Sequence, residues 1–308
     1  MKRLVLSLAL AVASSVSVPV FAQVSVAAAA AQAATDPAIQ ILEMAEQFRR
    51  NDVAALVSGG LPPDKYDELL AEYERERLEP ISDADRAEFL EGVGRLTAEG
   101  AVDRLMEEIT PKLQEGEAQS AGLTLMAIGA LNMAVTSPES DLSVEQREQL
   151  RMALPALEHW LSVTDFFSPE LARSALTALA EGVRKTGVDS LDTLRSLSLE
   201  QVMGRAGQML AAGKEAARVY GIDLDAIAST LEVEVLELAG DTARVRTTIE
   251  VFNAPIASEH ELVRIGRRWY GKQASGHWQF GSDDQADADA DANPDVDVDV
   301  DVNVELDG

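Results

Sequence analysis

The spacing of apolar residues changes once along this chain, and that change constrains the fold more than any other feature. From Asp36 to Tyr220 apolar side chains recur every third or fourth position, which is the period of a helix. Beyond Ile222 they recur every second position, which is the period of a strand. Tyr66, Leu69, Leu70 and Tyr73 form one such helical stripe, opened by Pro62 and Pro63 and closed before Pro80. Further along, Val245, Thr247, Ile249 and Val251 alternate with Arg244, Arg246, Thr248 and Glu250. The fold class expected is therefore α+β and predominantly α: a multi-helix bundle followed by a small antiparallel β-meander and a disordered acidic tail.

Start and stop signals divide the helical region. Pro37 follows Asp36 at a first-turn position, and Ile41, Leu42, Ala45 and Phe48 continue at helical spacing until Gly59 and Gly60. Ser82 with Asp85, Ser143 with Gln146 and Ser198 with Gln201 have capping-box spacing, and Ser168 before Pro169 reads as a further N-cap. A helix is expected from Ala101 to Ile109, another is expected to bend at Pro155, and Gly187 closes the one that begins at Pro169. The segment from Ala121 to Val135 is apolar on nearly every side and is read as the central buried helix. Its rivals are a membrane span, for which 15 residues fall short of the ~20 required, and a partner-binding segment. No repeat of fixed period joins these helices.

Signals for a meander of three or four strands follow. Val233 and Val235 alternate with glutamates, Gly240 and Asp241 mark a turn, and the strand through Val245 comes next. The stretch from Asn253 to Pro255 turns the chain toward Leu262, Val263 and Ile265, and Gly266 turns it again toward Trp269 and Tyr270.

The two ends have a different character. Lys2 and Arg3 precede an apolar run, and Val20-Phe21-Ala22 places small residues where a signal peptidase reads. This is the pattern of an export signal cut after Ala22, which leaves a periplasmic protein with no integral membrane span. Residues 23–35 read as an alanine-rich linker, 36–221 as the helical domain, 222–280 as the meander and 281–308 as the tail. Residues 282–308 carry 11 carboxylates and no basic side chain. Aspartates alternating with valine would set like charges about 7 Å apart on one strand face, so this tail is expected to stay extended and unpaired.

Charge and composition exclude several function classes. The full chain holds 26 basic and 53 acidic residues, a net charge of -27. Without Lys2 and Arg3 the processed chain carries -29, which disfavours nucleic acid and anionic lipid as partners. No cysteine is present, so disulfides, thiolate metal sites and thiol nucleophiles are absent. An EF-hand register from Asp295 through Asp297 and Asp299 fails, with Val300 where Gly is needed and Leu306 where Glu is needed. Gly207 to Lys214 has one residue too many for a phosphate-binding loop, and Glu215 stands at its hydroxyl position. Gly92 and Gly94 lack the third glycine of a dinucleotide fingerprint, Thr97 taking its place. His159, His260 and His277 have no helical-spacing partner for a metal, and no GxSxG elbow occurs. No catalytic residue, cofactor or metal ligand is assigned.

One local contrast remains. Arg244, Arg246, Arg264, Arg267, Arg268 and Lys272 gather on the meander as a candidate patch for an anion, an acidic partner or the tail. The simpler reading pairs these cations with Glu232, Glu234 and Glu250 across strands.

The residues Leu61, Pro62, Asp64 and Tyr66, then Gly240, Asp241, Ala243 and Val245, and finally Gly266, Arg267, Trp269 and Tyr270 carry a resemblance. Together they resemble a group of uncharacterised exported bacterial proteins with a helical body and a terminal strand meander. The resemblance covers most of residues 36–272, implies a periplasmic location and supplies no catalytic residue. The function expected is that of an exported, non-catalytic envelope protein binding a protein partner or ligand through its helical body. A small-molecule or lipid carrier with a pocket between helices and a carboxylate-dependent enzyme are the alternatives.

Overall fold

Asp36 opens the first helix by accepting a hydrogen bond from the Ala38 amide at 2.8 Å, with Pro37 preset for the first turn. The computed structural model describes residues 36–137 and 144–272. The export signal, the alanine-rich linker, Ser143 with its capping box, His277 and the acidic tail lie outside the described residues.

Ten helices and four strands follow in order among the described residues. They are α1 (Pro37–Arg49), α2 (Val53–Gly60), α3 (Pro63–Leu78), α4 (Asp83–Thr97), α5 (Ala101–Thr136), α6 (Val144–Val163), α7 (Pro169–Thr186), α8 (Leu191–Ser196), α9 (Leu199–Val219) and α10 (Leu224–Ser229), then β1 (Glu232–Ala239), β2 (Thr242–Val251), β3 (Ala254–Ile265) and β4 (Arg268–Gly271). The architecture is a mostly helical bundle followed by an open four-stranded antiparallel sheet in the order β1-β2-β3-β4.

Capping chemistry sets most helix starts. Ser82 with Asp85 and Ser198 with Gln201 both form complete capping boxes, and Ser168 caps α7. Gly187 ends α7 in the left-handed conformation. The first run is split earlier than the glycines at 59 and 60: Asn51 takes φ 59° and Asp52 caps a new helix at Ala55. The two-residue period also sets in later than Ile222, because Asp223 caps the short α10 before β1 begins.

The bundle is tied most closely where α7 meets α9; Ala172, Ala175, Ala180 and Gly182 are buried on α7, and Val202, Met203 and Ala212 on α9. A methyl added at Gly182 would sit 2.2 Å from Cβ of Ala212, so glycine is what allows the two backbones to approach. On the sheet, Val233, Ala243, Val245, Leu262 and Trp269 form a buried layer against Ala38, Ile41 and Leu42 of α1. Gln40 closes this contact: its amide donates to the Trp269 carbonyl at 2.5 Å and accepts from the Trp269 amide at 2.8 Å. Its side chain thus stands where a further strand's peptide would pair with edge strand β4.

An aromatic cluster joins four parts of the chain. Trp160 of α6 meets Phe166 edge-on at 5.1 Å and lies 5.3 Å from Phe252 at the β2–β3 turn, while Phe166 stacks on Tyr220 at 6.2 Å. The Trp160 indole donates to the Tyr220 carbonyl at 2.8 Å. Phe252 and Asn253 both take positive φ, 51° and 63°, as a two-residue hairpin turn requires.

One expectation is overturned. The segment 121–135 is not a central buried helix: it is the distal half of the 36-residue α5, and only Val135 within it is buried. Leu125, Met126 and Met133 are 72%, 71% and 67% exposed. The helix begun at Ala101 does not stop at Ile109 but continues through Pro111. Residues 112–120 favour the continuation, since Lys112, Leu113, Gln114, Glu115, Glu117, Ala118 and Gln119 are strong helix formers that outweigh Gly116 and one missing amide.

Candidate functional site

Strand pairing places the six cations of the meander. Arg244 stands opposite Glu237 and Glu261, and Arg246 opposite Glu234 and Glu259, on one face of the sheet. Arg246 reaches Glu259 at 2.8 Å and Glu234 at 3.3 Å, and Arg244 reaches Glu259 at 3.3 Å. Arg264 pairs with Asp241 at 2.6 Å and lies over the Trp269 ring, and Lys272 pairs with Glu261. Of the expected partners Glu234 is engaged, while Glu237 and Glu259 take the places given to Glu232 and Glu250. Arg267 and Arg268 are exposed and have no ion pair among the described residues, and the Arg268 guanidinium packs beside Gly59 of α2. From Glu232 to Lys272 seven carboxylates oppose six Lys and Arg, so this surface has no net positive charge to concentrate an anion.

Lys214, the last residue of the rejected phosphate-loop pattern, is in a helix and 2% exposed. Its ammonium donates to the Phe48 carbonyl and to Asp225 at 2.7 Å, and lies 3.9 Å from the centre of the Phe48 ring. Burial pushes its pKa below the usual lysine value, and Asp225 opposes that shift. A cation at the last carbonyls of α1 also complements the helix dipole. These contacts account for Lys214 as a joint between α1, α9 and α10.

His260 faces Val245 across strands, half-buried, with its Nε2 3.0 Å from the Thr247 hydroxyl. Burial lowers its pKa from the ordinary histidine value. His159 lies on α6, one residue before Trp160 of the aromatic cluster. Among the described residues no three histidine or carboxylate side chains converge as a metal site.

An open groove of 590 Å³ lies where the first turns of α5 and α7 meet, lined by Asp103, Met106, Glu107, Thr110, Pro111, Pro169, Glu170 and Arg173. Arg173 is paired with Asp103 at 2.5 Å. The groove brings carboxylates together, but Asp103 and Arg173 are both well exposed, so water levels their charges.

Among the described residues the distal half of α5 carries an exposed apolar face. Residues 118–136 contain no charged side chain, and of an 18-residue apolar window in this helix 6% is buried. By length and composition alone α5 is long enough to cross a membrane. Gly122, Leu125, Met126, Gly129 and Met133 fall at helical spacing on one exposed face. The opposite side, including Leu131, Asn132 and Val135, is less exposed and turns toward α6, where Asn132 donates to Glu158 at 2.8 Å. The sequence pattern identified these residues but placed them in the core. A uniformly apolar helix has no polar face to betray which side is left in solvent.

No family model, curated protein or solved structure matches this chain. The chain is a helical-bundle protein with a C-terminal β-meander.

Proposed function

We propose that this chain is an exported, non-catalytic binding protein of the bacterial envelope that docks another polypeptide through the distal half of α5. The observation that carries this reading is the exposed apolar face at Leu125, Met126 and Met133. A contiguous apolar surface left in water marks an interaction site more often than a defect. The export pattern ending at Ala22 and the acidic charge support an envelope location and a protein partner over nucleic acid.

Two further observations support a docking face over a membrane span. The proximal part of α5 packs on α4 and α7, while α6 returns to β3 and holds Trp160 against Phe252. For α5 to cross a bilayer α6 would have to cross back, carrying Arg147, Glu148, Arg151 and Glu158. The carrier reading drew on the same apolar segment lining a pocket, and that segment instead lies on the surface.

Two measurements test the proposal together. Expression of the full chain in a bacterial host with osmotic-shock release should yield a product whose intact mass begins at Gln23. Replacing Leu125 and Met126 with glutamate should leave the circular dichroism unchanged and abolish association in cross-linked envelope extracts. A product retained in the cytoplasm, or association untouched by both substitutions, would refute it.

A further inference from the structure

We infer that the occupant of the α5 face is a second copy of this chain, joined as an antiparallel α5–α5 pair about a two-fold axis. The inference rests on the reading of this face as a docking surface and names its partner. A two-fold pair brings residue i of one copy against residue j of the other and j against i, so the pattern must read alike in both directions. The exposed segment does so. Ala121-Gly122-Leu123-Thr124-Leu125 is followed by Met126-Ala127-Ile128-Gly129-Ala130. Reflected about the 125–126 bond, Leu meets Met, Thr meets Ala, Leu meets Ile, Gly meets Gly and Ala meets Ala.

The structure puts the centre of this mirror on the open face. Leu125 and Met126 are 72% and 71% exposed, and a Cβ at Gly122 or Gly129 would meet nothing within 4 Å. The two glycines are seven residues apart, which is two helical turns, so both lie on the same line of the helix. In the antiparallel pair Gly122 of one copy opposes Gly129 of the other, and the Leu125 and Met126 side chains fill the space between them.

Charge favours this arrangement over the alternatives. The 19 residues from Ala118 to Thr136 bring no charge into the contact and span about 28 Å. Glu115 and Glu117 precede the segment. In an antiparallel pair the two sets lie at opposite ends, well beyond the ~8 Å screening length of physiological salt. A parallel pair would stack each glutamate on its own copy. An anionic bilayer would face a processed chain of charge -29 with no Lys or Arg on this segment to hold its headgroups.

A single helix pair is a small interface, so association should be weak and concentration-dependent. Sedimentation of the full processed chain from about 1 to 200 µM should show the mass rising from one copy toward two, and Leu125→Glu with Met126→Glu should hold it at one. The chain has no cysteine, so single cysteines report geometry without background. A mixture of Gly122→Cys and Gly129→Cys should give mixed disulfide dimers several-fold above either variant alone. Helical circular dichroism equal to the parent's is the folding control.

A monomer at every concentration, or self-cross-linking of each variant in place of mixed dimers, would overturn the inference. Should the monomer persist while Leu125→Glu still abolishes capture of a different envelope protein, the second copy is wrong and the docking face stands. Should Leu125→Glu alter neither self-association nor capture, both fall.

Discussion

Gly182→Ala should destabilise the bundle even though alanine is the better helix former. Gly182 lies inside α7, where the substitution alone would gain about 1 kcal/mol of helix propensity. But the new methyl would be 2.2 Å from Cβ of Ala212 on α9, against the roughly 3.5–4.0 Å of a relaxed carbon contact. The helices would have to part by about 1.5 Å, and Ala212 has no rotamer through which to yield, its Cα lying only 3.7 Å from the same point. Overpacking of this kind costs roughly 1–3 kcal/mol or somewhat more, which, set against the gain in propensity, leaves a net loss of up to about 2 kcal/mol. In urea, with a slope of about 2–3 kcal/mol/M for a chain of this size, the midpoint should fall by about 0.5 M. Adding Ala212→Gly removes the colliding methyl, so the double variant should regain most of the midpoint despite a second glycine in a helix. If Gly182→Ala alone raised the midpoint, propensity would have won and the close approach of α7 to α9 would be refuted.

Three further outcomes follow from groups already described. Gln40→Ala removes the side-chain donor and acceptor that meet the Trp269 backbone and should cost about 2–4 kcal/mol, with faster hydrogen exchange at the Trp269 amide than elsewhere in the sheet. Lys214→Ala removes the donor to Phe48 and Asp225 and should cost about 2–3 kcal/mol, seen as a lower urea midpoint; Lys214→Met, which restores volume without charge, should recover part of it. Burial sets the His260 pKa in the folded chain below its value in the unfolded chain, which takes up a proton near pH 6.5. The wild type should therefore lose stability relative to His260→Gln as pH falls below about 6.5, and equal slopes in thermal melts between pH 7.5 and 5.5 would contradict this.

Local chemistry was legible where it is self-contained. A serine three residues before an acid or amide, or one just before a first-turn proline, fixes a helix start by its own hydrogen bonds, so Ser82 and Ser198, and likewise Ser168, could be read without neighbours. The meander was legible for the same reason: Gly240 and Gly266 take the positive φ of tight turns whatever packs beside them. What depends on tertiary partners was not. The helix expected to end at Ile109 runs on because the helix-forming residues beyond Pro111 carry α5 past one missing amide. The segment 121–135 looked like a core because apolarity says that a face will be covered, not by which chain. Gln40 and Lys214 gave no signal, since their roles exist only once β4 and α1 have come within reach.

The clasp between Gln40 and Trp269 spans 229 positions of the chain. During synthesis the helix that bears Gln40 meets α2 at once, but the strand edge that Gln40 clasps follows only 229 residues later. Closure of the sheet layer over α1 thus waits for β4, and a product truncated before residue 268 would leave that flank of α1 bare and the Gln40 amide unanswered.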